Sequence, residues 1–215
     1  MLASAVVKEG AKRYIEKYGA FTRLLHFIHL ISFIVLAITG LSLAYKWNGL
    51  GMFLFGSMKN VKAIHELFGW ILVISGGILF LMMLPESIFK SYDLKWFMKL
   101  GGYLDPTHKT HAPAGKVNAG QKVFYWYGFL ALIVMALTGF ALMYDMVSKE
   151  VANLFLLIHF AVGVFWIAFV IIHFYLATIA NPGTIWAMIN GKVSEDYIRV
   201  HNPEWYKELK EKGIL

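Results

Sequence analysis

Eight histidines occur in this chain, and five of them lie in or beside long apolar stretches: His26, His29, His65, His159 and His173. A neutral imidazole offers one lone pair to a metal, and it is a common axial ligand of haem iron. An ionisable side chain at membrane depth is costly, so each is a functional candidate by default. His159 and His173 are the sharpest case. At helical pitch their spacing leaves them within about 40° of one face and roughly 21 Å apart along the axis. One helix would then present two ligands at two depths. His108, His111 and His201 lie in polar segments, where solvent exposure is expected and no chemistry is assigned.

The elements that carry these histidines are dictated by composition. Of 215 residues, 59% are apolar and 15% charged, and the mean hydropathy is +0.60. That leaves too little polar surface for a soluble globule, so soluble enzyme folds are excluded. There is no cysteine. Thiolate-bound iron–sulfur clusters, covalently attached c-type haem, cysteine zinc sites and disulfides are therefore excluded as well. The net charge of +7 does not signal nucleic acid, because the cations flank apolar runs as they do beside anionic lipid, with no interleaved base-stacking face.

Four stretches are long enough to cross a hydrocarbon core: residues 24–45, 64–84, 122–144 and 151–180. In lipid every backbone amide must be satisfied internally, so these are expected to be helices forming one all-α membrane bundle over residues 1–215. Asn181-Pro182-Gly183 should stop the fourth. Sixteen Lys and Arg fall on the side of both termini and the 85–121 loop, and four on the other side. The positive-inside rule makes both termini, that loop and the 181–215 tail cytoplasmic. The first apolar run exceeds a signal-peptide core and lacks a small-residue cleavage site, so it is retained as a span. Residues 88–100 mix aromatics with Lys90, Lys95 and Lys99, which suits either an interfacial helix or a solvated connection. Ser194 with Glu195, and Asn202-Pro203, have the character of starts of short tail helices.

The chain also repeats itself. Ala37-Ile38-Thr39-Gly40-Leu41-Ser42-Leu43 in the first span matches Ala136-Leu137-Thr138-Gly139-Phe140-Ala141-Leu142 in the third. His65 with Gly69 in the second matches His159 with Gly163 in the fourth. Such glycines serve either close helix packing or room for a flat macrocycle. Depth decides between them: topology puts His65 level with His159 near the outer face, and His26 level with His173 near the inner face. Two level-matched pairs on facing helices predict two six-coordinate b-type haems. His26 is preferred to its neighbour His29 because Arg23 beside it could neutralise a propionate. Asn118, just ahead of the third span, could cap that helix.

These residues together resemble the gamma subunit of membrane-bound formate dehydrogenases of the formate dehydrogenase-N type, a cytochrome b related to that of nickel–iron hydrogenases. The resemblance runs from Arg23 through His26 to Thr39-Gly40, then His65-Glu66-Leu67-Phe68-Gly69, Asn118-Ala119-Gly120-Gln121-Lys122, and His159 through Gly163 to His173. It ends in Gly191-Lys192-Val193-Ser194 and His201-Asn202-Pro203-Glu204-Trp205-Tyr206. It implies haem ligation by His26, His65, His159 and His173, and quinone contacts from Asn118, Gly120, Gln121 and His173. An iron–sulfur beta subunit and a molybdenum or tungsten catalytic alpha subunit are the implied partners, so formate would be oxidised by the alpha subunit and not by this chain. The implied setting is anaerobic respiration in a bacterial inner membrane, with electrons passing through two haems b to a quinone such as menaquinone at the cytoplasmic side. A higher oligomer of the complex is compatible with this. The alternatives are a cytochrome b subunit of a hydrogenase or sulfur-compound reductase, and a haem-free membrane anchor or transporter.

Overall fold

The computed structural model describes residues 6–9, 12–45, 49–105 and 112–215. His108 and His111 lie outside them. Among the described residues four helices are long and apolar enough to cross a membrane: α1 (Ala20–Tyr45), α3 (Met58–Ser87), α5 (Ala119–Met143) and α6 (Lys149–Tyr175), the last prolonged by a π-turn to Ala180. Each expected span is found, and each helix begins earlier than hydropathy alone suggests. The first turns of α3 are polar and start after Ser57, whose hydroxyl accepts the Asn60 amide at 3.2 Å. α6 stops where expected, with Asn181 Nδ2 donating to the Leu176 carbonyl at 2.9 Å ahead of Pro182.

The shorter elements are β1 (Val6–Glu9), β2 (Lys12–Glu16), α2 (Leu50–Phe55), α4 (Ser91–Met98), α7 (Trp186–Ile189), β3 (Lys192–Ser194), α8 (Glu195–His201) and α9 (Pro203–Glu211). A short helix, α4, forms within residues 88–100, and α8 and α9 begin at the two anticipated helix starts. The three short strands pair antiparallel in the order β1-β2-β3. This sheet is an addition to the helical architecture that hydropathy does not announce.

The chain forms two compact units. One comprises Met1–Arg23, Met82–Trp126 and His173–Leu215, as far as these are described, and the other Leu24–Leu81 and Tyr127–Ile172. In the first unit, Ile15, Tyr18, Ala187, Val193, Ile198, Trp205 and Leu209 bury one another. Gly191 is required there: its φ is +83°, and a Cβ would stand 2.5 Å from the Tyr18 carbonyl oxygen. Asn202 is buried and donates to the Gly115 carbonyl at 2.6 Å, while the Glu204 amide donates to the Ala114 carbonyl at 3.0 Å. The tail thus clasps the segment that leads into Asn118.

Lys17 is an uncomfortable member of this unit. Its ammonium lies 5.8 Å from the ring centres of both Tyr18 and Trp205. Burial, and then the like charge of Lys116, push its pKa down to about 8, against the pull of Glu86. The folded state therefore holds fewer protons than the unfolded chain between about pH 8 and the ordinary value of 10.5. The resulting penalty is full below pH 8 and is relieved as pH rises through that window. Lys17→Met is expected to raise the Tm at neutral pH, with the advantage shrinking toward about pH 10. Paired melting curves at the two pH values check this, and an advantage that stays constant would contradict it.

In the second unit Leu72, Ala131, Leu132 and Trp166 form the buried centre, flanked by Phe33, Phe80, Met135 and Val162. Buried hydroxyls cost little here because each bonds its own helix. Ser32, Thr39, Ser42 and Thr138 donate to the carbonyls of Ile28, Val35, Ile38 and Val134 at 2.7–2.8 Å.

Candidate functional site

The second unit brings His65 on α3 and His159 on α6 together, with ring centres 6.2 Å apart. A metal–imidazole bond of roughly 2 Å on either side, plus about 1 Å from each nitrogen to its ring centre, gives roughly 6 Å for two imidazoles sharing one ion. The observed spacing meets that requirement. Each ring is held the same way. His65 Nδ1 lies 2.8 Å from Thr39 Oγ1, and His159 Nδ1 lies 2.9 Å from Thr138 Oγ1.

The donors in these two contacts can be assigned. A hydroxyl has one hydrogen, and both threonines direct theirs to the carbonyl four residues back at 2.7 Å. Each threonine oxygen must then accept, so each imidazole carries its proton on Nδ1 and keeps the Nε2 lone pair for a metal. Gly40 and Gly139 make the approach possible: a Cβ would stand 3.2 Å from His65 Cε1 or 3.1 Å from His159 Cε1. The repeated Thr-Gly step is therefore a seat for a histidine of another helix. Open space lies beyond Gly69, one turn along from His65, where a Cβ would meet nothing within 4 Å.

His29, in the same unit, also sits over a glycine, Gly76, where a Cβ would come 2.8 Å from its Cε1. It packs against Phe80 and Trp166, with ring centres 6.3 Å away in both cases. His26 lies one turn earlier on α1, where its ring meets Phe27 edge-on at 6.0 Å.

In the first unit, the ring of His173 near the end of α6 stacks on Phe124 at 4.3 Å and 16°. Phe124 is one turn along α5 from Gln121, so the stack brings His173 to the opening turns of that helix. Asn118 caps this end. Its Oδ1 accepts the Gln121 amide at 2.8 Å, and Gln121 Oε1 accepts the Asn118 amide at 3.0 Å, a reciprocal capping box. The capping role expected of Asn118 is thereby found, and Gln121 completes it. Gly120 abuts Trp96 of α4, whose Cη2 a Cβ would meet at 2.8 Å. The first-turn amides of a helix have no partner within it, so this end suits a carbonyl oxygen.

Arg23 donates from Nη1 to the Ile189 carbonyl at 2.8 Å, while its buried Nε has no partner among the described residues. His201 stacks on Tyr197 at 4.4 Å and is exposed, as expected for its polar segment. Thr39 and Thr138 were visible in the sequence as a repeat. Their contact with the histidines was not.

Known proteins resemble this chain over most of its length. The model of a family described as prokaryotic cytochrome b561 matches residues 17–191. The nitrate-inducible formate dehydrogenase cytochrome b556(Fdn) subunit of Escherichia coli K12 is 29% identical over 194 residues, covering 87% of this chain and 88% of that protein. The cytochrome b556(fdo) subunit of formate dehydrogenase from the same organism is 24% identical over 200 residues, covering 91% and 93%. The formate dehydrogenase cytochrome b556 subunit of Haemophilus influenzae is 24% identical over 190 residues, covering 86% and 79%.

Proposed function

Because the chain belongs to the prokaryotic cytochrome b561 family, whose members carry b-type haem in a multi-pass membrane bundle, we propose that it is the cytochrome b subunit of a formate dehydrogenase complex. The observation that supports this most is the pair of imidazoles, His65 and His159, spaced for one iron and each anchored at Nδ1 by a threonine. These two would hold one haem. On helix phase and depth, His26 and His173 would hold a second. When bound, the haems supply a one-electron relay between an iron–sulfur partner and a quinone.

The chain's own residues do the rest. Asn118 and Gln121 fix the first turn of α5, so that the Gly120 amide and the remaining Asn118 N–H groups can donate to a quinone carbonyl. His173, stacked on Phe124, lines the same site. In this reading both termini and this site face the cytoplasm of a bacterial inner membrane, which the distribution of Lys and Arg supports, so protons for the quinol come from that side. The quinone of this reading is menaquinone.

The test is purification of the native complex through a tag on this chain. Formate should reduce two b-type haems per chain, with molybdenum or tungsten in a co-purifying subunit. Reduction by hydrogen with nickel present would reassign the partner to a hydrogenase, and the absence of b-type bands would end the proposal.

A further inference from the structure

The two threonines do more than satisfy their own hydroxyls. Resting on the reading that His65 and His159 would hold one haem, we propose that Thr39 and Thr138 are positioning residues that set the redox potential of that haem through the two imidazoles that would hold it. The two arms match. In each, the buried threonine oxygen lies 2.8 or 2.9 Å from Nδ1, and its hydrogen goes at 2.7 Å to the carbonyl one turn back.

A hydroxyl that donates to a carbonyl is a stronger acceptor than a free one, because chained hydrogen bonds polarise one another. It draws the Nδ1 proton, makes Nε2 more basic, and so favours ferric over ferrous iron. The effect counts twice, since both ligands are held alike. The adjacent glycines admit each ring to this contact: a Cβ at Gly40 or Gly139 would press on Cε1 at 3.2 or 3.1 Å. A threonine that merely bonded its own helix would need neither the glycine nor the imidazole. Four residues from four helices, in two copies, therefore serve one electronic end.

The experiment uses the purified complex carrying Thr39→Val or Thr138→Val, with Thr39→Ser and Thr138→Ser alongside. Valine keeps the branched shape and removes the acceptor, whereas serine keeps the acceptor. Loss of an outer partner of a ligand typically costs about tenfold or more at a metal site. A tenfold shift in the ferric-to-ferrous preference raises a one-electron midpoint by about 59 mV. Each valine variant should raise the midpoint of one haem by that order and leave the other haem in place. The low-spin electron paramagnetic resonance signal of the affected haem should move, and serine should restore both readings. Valine variants with unchanged midpoints and signals would overturn the proposal. Should valine lose the haem altogether, serine decides: a retained haem with the wild-type midpoint supports the acceptor role, and equal loss overturns it. If His65→Ala and His159→Ala both leave two intact haems, the underlying assignment of ligands has failed, and this proposal falls with it.

Discussion

Replacing His159 with alanine is expected to abolish the low-spin signature of one haem and leave the other, so that about half of the reduced-minus-oxidised b-type absorbance survives. His65→Ala should do the same, and the double variant should lose no more than either single one. Two residues that act as one unit are not additive, because removing the first ligand already removes what the second holds. The 6.2 Å between the ring centres demands this outcome if one iron lies between them. His173→Ala in a His159→Ala background should, by contrast, remove what remains. Spectra of the three single variants and two double variants decide the matter. Losses for His65 and His159 that sum to the whole absorbance would assign them to different haems and dissolve the pair.

The membrane bundle was legible from hydropathy because apolar runs of that length have no other stable form in lipid. The pairing of His65 with His159 was legible too, since the charge-based topology puts both near the same end of their spans. What the Thr-Gly repeat does was not legible. The bond from Thr39 to His65 joins α1 to α3, and no periodicity along either helix states which face meets which. The sheet escaped for a different reason. β1, β2 and β3 are 4, 5 and 3 residues long, and β3 pairs with the distant β2 directly after Gly191, whose positive φ carries no periodic signal. The polar first turns of α3 were missed because a span read from hydropathy starts only where charge ends, while the Ser57 cap starts the helix earlier. The capping box at Asn118 was half visible: the residue type suggested the cap, whereas the reciprocal bond from Gln121 emerges only in the structure.

Lys122 is the residue whose role changes most between sequence and structure, and it carries the second large expected effect. In the charge distribution it counts as a cation flanking the third span, a position usually occupied by a snorkelling lysine in the headgroups. In the structure its side chain is 1% exposed, and its Nζ lies 2.6 Å from Asp93 Oδ2, itself 2% exposed. The ammonium also lies over the rings of Tyr92 at 5.3 Å and Phe89 at 6.0 Å. Asp93 Oδ2 accepts the Lys90 amide at 2.7 Å, so one carboxylate both starts α4 and holds it to α5. Its Oδ1 is buried without a partner among the described residues.

Removing one ion from such a pair leaves the other uncompensated in a dry site. Lys122→Met or Asp93→Asn alone should therefore destabilise the first unit by about 3–5 kcal/mol. The double variant should cost far less, because asparagine still accepts the Lys90 amide and no bare charge remains. Quinone reduction is expected to fall in step with stability in the single variants, since Trp96 of α4 braces Gly120 in the turn proposed to meet the quinone. Thermal unfolding of the complex, together with quinone-reduction rates for the two single variants and the double one, provides the check. Single variants within about 1 kcal/mol of wild type would mean that water reaches the pair and that α4 is held by its aromatic contacts instead.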